Sequence, residues 1–188
     1  MDDQTAIRHL KDGDIGGLDV LVKRYQVQAV RTAYLILQDQ AAAEDVMQSA
    51  FIRVYDRIHQ FNDQYPFRPW FMRIVVNMAL KASGSDQTVL TLDMTATDFL
   101  PDTTPNPELQ LEEAQQEAVI RDALAALSTE QRAVIVMRYY LDYKESEIAQ
   151  AVQAPLGTVR WRMHTAKKRL RGLLTAFQPG YAGRMRDE

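Results

Sequence analysis

Apolar residues recur along this chain at steps of three and four, and no stretch alternates convincingly, so the elements the pattern predicts are helices. A short helix over residues 3–11 breaks at Asp12-Gly13-Asp14, a turn followed by an N-cap signal. From Ile15 to about Gln38 the rhythm is carried by Leu18, Leu21, Val22, Tyr25, Val30, Ala33, Tyr34 and Leu37, and Asp39-Gln40 marks a loop. The next helix, about 41–60, buries Val46, Met47, Ala50, Phe51, Val54 and Ile58. An aromatic-rich loop, Phe61 to Pro66, follows, and Pro69 opens a helix that stops near Ser83-Gly84-Ser85. Residues 84–107 lack periodicity and carry Pro101, Pro105 and Pro107, with one apolar patch at Val89–Leu92. The rhythm resumes from Glu108 to Leu127, and Ser128 with Gln131 forms a capping box for a helix over about 129–141.

The stretch from Lys144 to Leu174 contains two helical patterns joined by a short break. Pro155 suits the first turn of the second. Val159, Met163, Ala166, Leu170 and Leu173 make one apolar face, while Arg160, Trp161, His164, Thr165 and Lys168 fall on the other. The pair reads as a helix-turn-helix. The whole chain is then all-α: two small helical domains, residues 1–83 and 113–177, joined by an acidic flexible linker over 84–112, with a tail at 178–188.

Composition changes this picture in one respect. The 188 residues are 46% hydrophobic and 25% charged, an ordinary globular balance, and the net charge of −3 does not advertise nucleic acid. Its distribution does. Between Lys81 and Arg121 there is no Lys or Arg, but Asp86, Asp93, Asp98, Asp102, Glu108, Glu112, Glu113 and Glu117 all lie there. Positive charge gathers in the last quarter. Without cysteine there are no disulfides or thiolate metal sites. The acidic start MDDQTAIRHL is no signal peptide, and nowhere do about 18 apolar residues run together, so a cytoplasmic protein without membrane insertion is expected.

Candidate chemistry is sparse for an enzyme. His9, His59 and His164 lie far apart and outside any ligand spacing, and no phosphate-binding loop or nucleophile elbow occurs. Neither catalysis nor a cofactor is expected. The second helix of the Lys144–Leu174 pair offers more: cations, hydrogen bonders and one indole in front of an apolar back are what major-groove reading needs. Thr158, in its first turn, can reach a phosphate, helped by the helix dipole. On the 41–60 helix, Asp45, Gln48 and Ile52 face outward with Arg53 at the boundary; this is either a solvated face with one stray apolar group or a partner surface. In the 61–70 stretch Phe67 and Trp70 fit the core, whereas Phe61 and Tyr65 are freer. Aromatics beside Arg68 and Arg73 suit either a plugged loop or a single-strand site.

Four motifs then fall in a familiar order: AEDVMQSAFIRVYDRI, FRPWFMRIVVNMAL, LSTEQRAVIVMRYYLDYKESEIAQAV and PLGTVRWRMHTAKKRLRGLL. Together they resemble bacterial RNA polymerase sigma factors of the extracytoplasmic-function (ECF) class, in layout over most of the chain. The resemblance implies a factor that binds core RNA polymerase and promoter DNA, directs promoter recognition, melting and initiation, and has no catalysis, metal or cofactor of its own. It implies that the first domain binds the polymerase clamp through Asp45, Gln48, Ile52 and Arg53. It further implies capture of the melted minus-ten element through Phe61, Asn62, Phe67 and Arg68, with Arg73, Asn77 and Lys81 behind them. For the second domain it implies minus-thirty-five recognition by Arg160, Trp161, His164 and Thr165, with Thr158, Arg162 and Lys168 on phosphates. The acidic linker would thread towards the RNA exit path, and an anti-sigma factor is the expected regulatory partner. The chain departs from the family pattern at three points. Lys81 leads straight into ASGSD where arginines usually follow, Gln153 stands in for the turn glycine, and Trp161 with Thr165 replaces smaller and cationic residues. A ligand-responsive DNA-binding regulator is the rival, but it has no need of FRPWF beside the outward face of the 41–60 helix.

Overall fold

The computed structural model describes residues 1–84 and 119–177, and these are helical throughout except for turns. The linker, the Val89–Leu92 patch, the segment from Glu108 to 118 and the tail lie outside the described residues. Seven helices are labelled here: α1 (Asp3–Lys11), α2 (Gly16–Leu37), α3 (Gln40–Arg57), α4 (Phe67–Ala82), α5 (Thr129–Tyr139), α6 (Glu145–Ala151) and α7 (Leu156–Phe177). A helical stretch over 119–125 precedes α5.

Local chemistry explains the boundaries. The Asp2 carboxylate accepts from the Thr5 N–H at 2.8 Å and caps α1, and Asp39 caps α3 by accepting from the Ala42 N–H at 2.9 Å. Gln38, with φ 61°, closes α2 in the left-handed conformation that ends many helices. The capping box at Ser128 forms, its hydroxyl accepting from the Gln131 N–H and the Gln131 side chain accepting in return. Three predicted limits move. The 41–60 helix ends at Arg57 and finishes as a 3-10 turn, Ile58–Gln60. The helix expected from Pro69 begins at Phe67, because a first-turn proline lacks only an N–H that has no intrahelical partner there. The α5 helix stops at Tyr139 rather than 141, where Asp142 turns left-handed at φ 60°.

Helices α1 to α4 form the N-terminal unit around Leu21, Ala29, Ala33, Ile36, Ala50, Val54, Phe71 and Val75, all buried. The line along α2 runs Leu21, Tyr25, Ala29, Ala33 and Ile36, so Leu18, Val22, Val30, Tyr34 and Leu37 flank the core rather than fill it. Gly17 lets α2 start against α1, since a Cβ there would lie 2.1 Å from the Ala6 carbonyl oxygen. Helices α5 to α7 form the second unit around Ala133, Met137, Ile148, Val159, Met163 and Ala166.

The two units are in contact. Arg132 of α5 is buried; its Nε donates to the Ile36 carbonyl at the end of α2, and its other nitrogens donate to Leu127 O at 2.8 Å and Thr129 Oγ1 at 3.1 Å. Tyr143, in the α5–α6 turn, donates its hydroxyl hydrogen to the Pro69 carbonyl at 2.7 Å. The Arg31 guanidinium lies over the Tyr140 ring at 5.7 Å. Buried apolar residues of both units belong to one continuous core.

Candidate nucleic-acid interface

The turn between α6 and α7 is tight, and Gln153 meets it with φ 50°, the strained conformation that a glycine would adopt freely. Pro155 sits just before α7, its carbonyl accepting from the Thr158 and Val159 N–H groups at 2.9 and 3.1 Å. Behind the helix, Val159, Met163, Ala166 and Leu170 are buried; in front, Arg160, His164 and Lys168 are exposed and Trp161 is 64% exposed. Thr158, Arg162 and Thr165 are half-buried on the flanks. An indole left in solvent on a face of cations is available to a partner rather than to the core. Arg160 is not free, however. Its Nε donates to the Glu145 carboxylate at 2.9 Å. Lys167 turns away from this face and lies 5.4 Å from the centre of the Tyr139 ring.

The second cluster, around the 61–66 loop, corrects one expectation. Phe61 and Phe67 are both 2% exposed, packed with Trp70 at centroid distances of 5.0 and 5.7 Å. Burying a phenyl ring contributes about 1.5–3 kcal/mol, and stacking on a base about 1–3 kcal/mol per base. A ring already packed among aromatics gains nothing by leaving, so neither Phe61 nor Phe67 serves as a free stacking platform. Phe61, expected to be freer, is core. Tyr65 is half-buried and Asn62 exposed, its Oδ1 accepting from the Gln64 N–H at 3.0 Å. Lys11 of α1 pins the loop by donating to Phe61 O at 2.9 Å and Asp63 Oδ1 at 2.6 Å. A cleft of about 270 Å³ opens between this loop and α1, walled by Asp3, Ile7, Tyr25, Tyr65 and Arg68 among others. Along α4, Arg68, Arg73 and Asn77 are half-buried and Lys81 is exposed. Arg68 Nε donates to Gln28 Oε1 at 3.0 Å. Arg73 differs: its Nε is buried with no hydrogen-bond acceptor, and burial pushes its pKa down. A cation held in this state favours an arriving anion.

The third surface is on α3. Asp45, Gln48 and Ile52 are exposed along one face, Ile52 at 61%, and the face continues through Tyr55 at 51% and Asp56. Arg53 is half-buried at the edge, its pKa lowered by burial and by nearby Arg57. Two large apolar groups one turn apart exceed the scatter of an ordinary solvated face.

Known proteins account for this combination. Residues 21–87 match the sigma-70 region 2 family and residues 117–170 the sigma-70 region 4 family. The ECF RNA polymerase sigma-E factor of Escherichia coli (strain K12) is 30% identical over 177 residues, covering 88% of this chain and 91% of its own length. The chain belongs to the ECF class of RNA polymerase sigma factors. As a sigma factor it binds core RNA polymerase and directs promoter recognition and transcription initiation. The RNA polymerase sigma-H factor of Pseudomonas aeruginosa is similar at 28% identity over 174 residues, covering 88% of this chain and 90% of that protein. Among solved structures, CnrH in complex with the cytosolic domain of CnrY shares the fold. Its TM-score is 0.64 at 20% identity, covering 94% of this chain and 99% of that one. No helix among the described residues is long and apolar enough to cross a membrane.

Three residues on these candidate surfaces, Tyr55, Glu145 and Lys11, were not singled out from the sequence. Tyr55 was available from the helical step, being three residues beyond Ile52. Glu145 and Lys11 were not, because each acts on a residue brought near only by a turn or by the tertiary fold. The α1 helix, which supplies Lys11 and one wall of the cleft, precedes the matched region 2.

Proposed function

We propose that the two units divide promoter work as follows. The exposed face of α3, from Asp45 through Gln48, Ile52 and Tyr55, docks on the polymerase clamp, with Arg53 at its rim. Helix α4 and the loop before it hold the melted minus-ten strand: Arg73, Asn77 and Lys81 meet the backbone, and an unpaired base enters the cleft beside Asn62, Tyr65 and Arg68. Helix α7 reads the minus-thirty-five duplex with Trp161, His164, Thr165 and Arg160, while Thr158, Arg162 and Lys168 bind phosphates. The observation that carries this is the division of α7 into a buried apolar stripe and a solvent-facing row containing Trp161. Extruding a base takes a few kcal/mol, which contacts on α4 must offset. The factor performs no catalysis itself and works in the cytoplasm.

Two of the structural relatives are bound by protein partners, CnrH by the cytosolic domain of CnrY and RpoE of Bartonella quintana by the anti-sigma factor NepR. On that likeness an anti-sigma factor is the regulatory partner here.

The test is run-off transcription with purified core polymerase on a library of genomic promoters, with permanganate reactivity reporting melting. Arg73→Ala together with Asn77→Ala should still form a closed complex but leave thymines of the minus-ten element unreactive. Normal melting by that double variant would remove α4 from the assignment.

A further inference from the structure

One face of α1 serves the cleft at the 61–66 loop. Asp3, Ile7 and Lys11 stand four residues apart and so lie in one row along the helix. Asp3 and Ile7 wall the cleft, and Lys11 reaches across to the loop, donating to Phe61 O at 2.9 Å and Asp63 Oδ1 at 2.6 Å. The helix itself is fixed to α2: the Asp3 carboxylate accepts from Arg24 and Tyr25, and Arg24 also donates to Met1 O at 2.8 Å. The loop is held far less. Phe61 and Phe67 bury its two ends, but Asn62, Asp63 and Gln64 between them are exposed and Tyr65 is half-buried. The Gln64 and Tyr65 N–H groups only turn back to Asn62. Among the described residues, Lys11 is the one side chain outside the loop that hydrogen-bonds it. The Lys11–Asp63 pair is accessible, with side chains 22% and 47% exposed, so it contributes little to folding. Its effect is on where the loop stands.

We propose that Lys11 is a positioning residue for minus-ten base capture: from α1 it holds Asn62–Tyr65 at the height that keeps the cleft open for a base. This rests on the reading of that cleft as the place an unpaired base enters. Lys11 touches no DNA in this role. It spares the loop the entropy of being ordered as the base arrives, which is how a preorganised site gains affinity. Fixing the backbone of one residue is worth about tenfold in an equilibrium constant, and the exposed stretch has several to fix. The loss on removing Lys11 falls on one step. Docking on polymerase through α3 and duplex binding through α7 use other surfaces and are untouched.

Holoenzyme assembled from core polymerase and the full-length factor tests this. Promoter DNA carries 2-aminopurine at successive minus-ten positions, and its fluorescence reports a base leaving the stack. Lys11→Met should keep the melting temperature within about 2 °C, since the pair is accessible. It should leave closed-complex affinity unchanged and lower the equilibrium for base capture about tenfold. Lys11→Arg should restore most of that loss. Asp63→Ala separates positioning from a direct contact between Lys11 and phosphate. It removes a negative charge, so electrostatics alone would tighten DNA binding. Positioning predicts the opposite, several-fold weaker capture, and a Lys11→Met, Asp63→Ala double variant no worse than Lys11→Met, because the two act as one unit. Tighter capture by Asp63→Ala, or unchanged capture by Lys11→Met, would overturn the proposal. So would a large fall in melting temperature, or a loss already present in the closed complex. Tyr65→Ala keeps the two readings apart. If it lowers capture and Lys11→Met does not, only the role of Lys11 falls; if neither does, the cleft does not receive the base.

Discussion

The Nε of Arg160 donates to the carboxylate of Glu145 at 2.9 Å, tying α7 to α6 across the turn. Both groups are solvent-accessible, so the pair adds at most about 1 kcal/mol to stability. Its effect on DNA should be larger, because the carboxylate occupies a cation of the face proposed to read DNA and repels phosphate. Glu145→Gln should leave the melting temperature within about 2 °C and raise duplex affinity several-fold. The gain should be largest on the preferred minus-thirty-five duplex, because Arg160 is assigned to base edges. Anisotropy titrations with the preferred and a scrambled duplex check this, and an equal gain on both would mean that Arg160 does not read bases.

Trp161 is 64% exposed in the solvent-facing row of α7, the row proposed to read the minus-thirty-five duplex. Trp161→Ala should shift which minus-thirty-five sequences are selected from a randomised pool, while affinity for core polymerase stays as in wild type. Identical selected sequences would place the indole outside the groove.

Ile52 is an apolar group in solvent beside Tyr55, so replacing it takes nothing from the core. Ile52→Asp should leave the thermal transition unchanged and weaken core polymerase binding by about tenfold or more, as loss of a central apolar anchor does. Surface-immobilised core enzyme provides the measurement. Undiminished affinity would move the clamp contact off α3.

Stability should fall at high pH. Burial raises the pKa of Tyr143, and burial together with the hydrogen bond to Asp3 raises that of Tyr25. A phenol whose folded value lies above the ordinary value near 10 stabilises the fold below that pH. This stability is lost as pH rises through the raised values. The melting temperature should thus hold to about pH 9 and decline above about 10. Tyr143→Phe should show a shallower decline than wild type, and parallel curves would assign the alkaline loss to other groups.

Much of this architecture could be read from the chain because its helices obey a single rule. Val159, Met163, Ala166 and Leu170 recur at helical steps and are buried; Trp161 breaks the rule and is exposed. The two-unit division followed from the run without cations. Phe61 was misjudged because an aromatic in a loop has no periodicity to say which side it faces, and its neighbours Phe67 and Trp70 decide that in three dimensions. The contact between units was invisible for a related reason. Arg132 and Tyr143 join partners 96 and 74 residues away through single hydrogen bonds, and polar residues leave no hydrophobic stripe. The left-handed turn at Gln153, by contrast, was foreseeable from the missing glycine.

Arg132 brings most of its own solvation with it. Two of its donors are committed to Leu127 and Thr129 within its own unit, and only the Nε crosses to Ile36. The guanidinium therefore enters the junction already holding two partners, and a single bond to the Ile36 carbonyl completes its set. The junction thus joins a shared apolar core to one polar cross-link, so that the charge is buried without being left bare on either side.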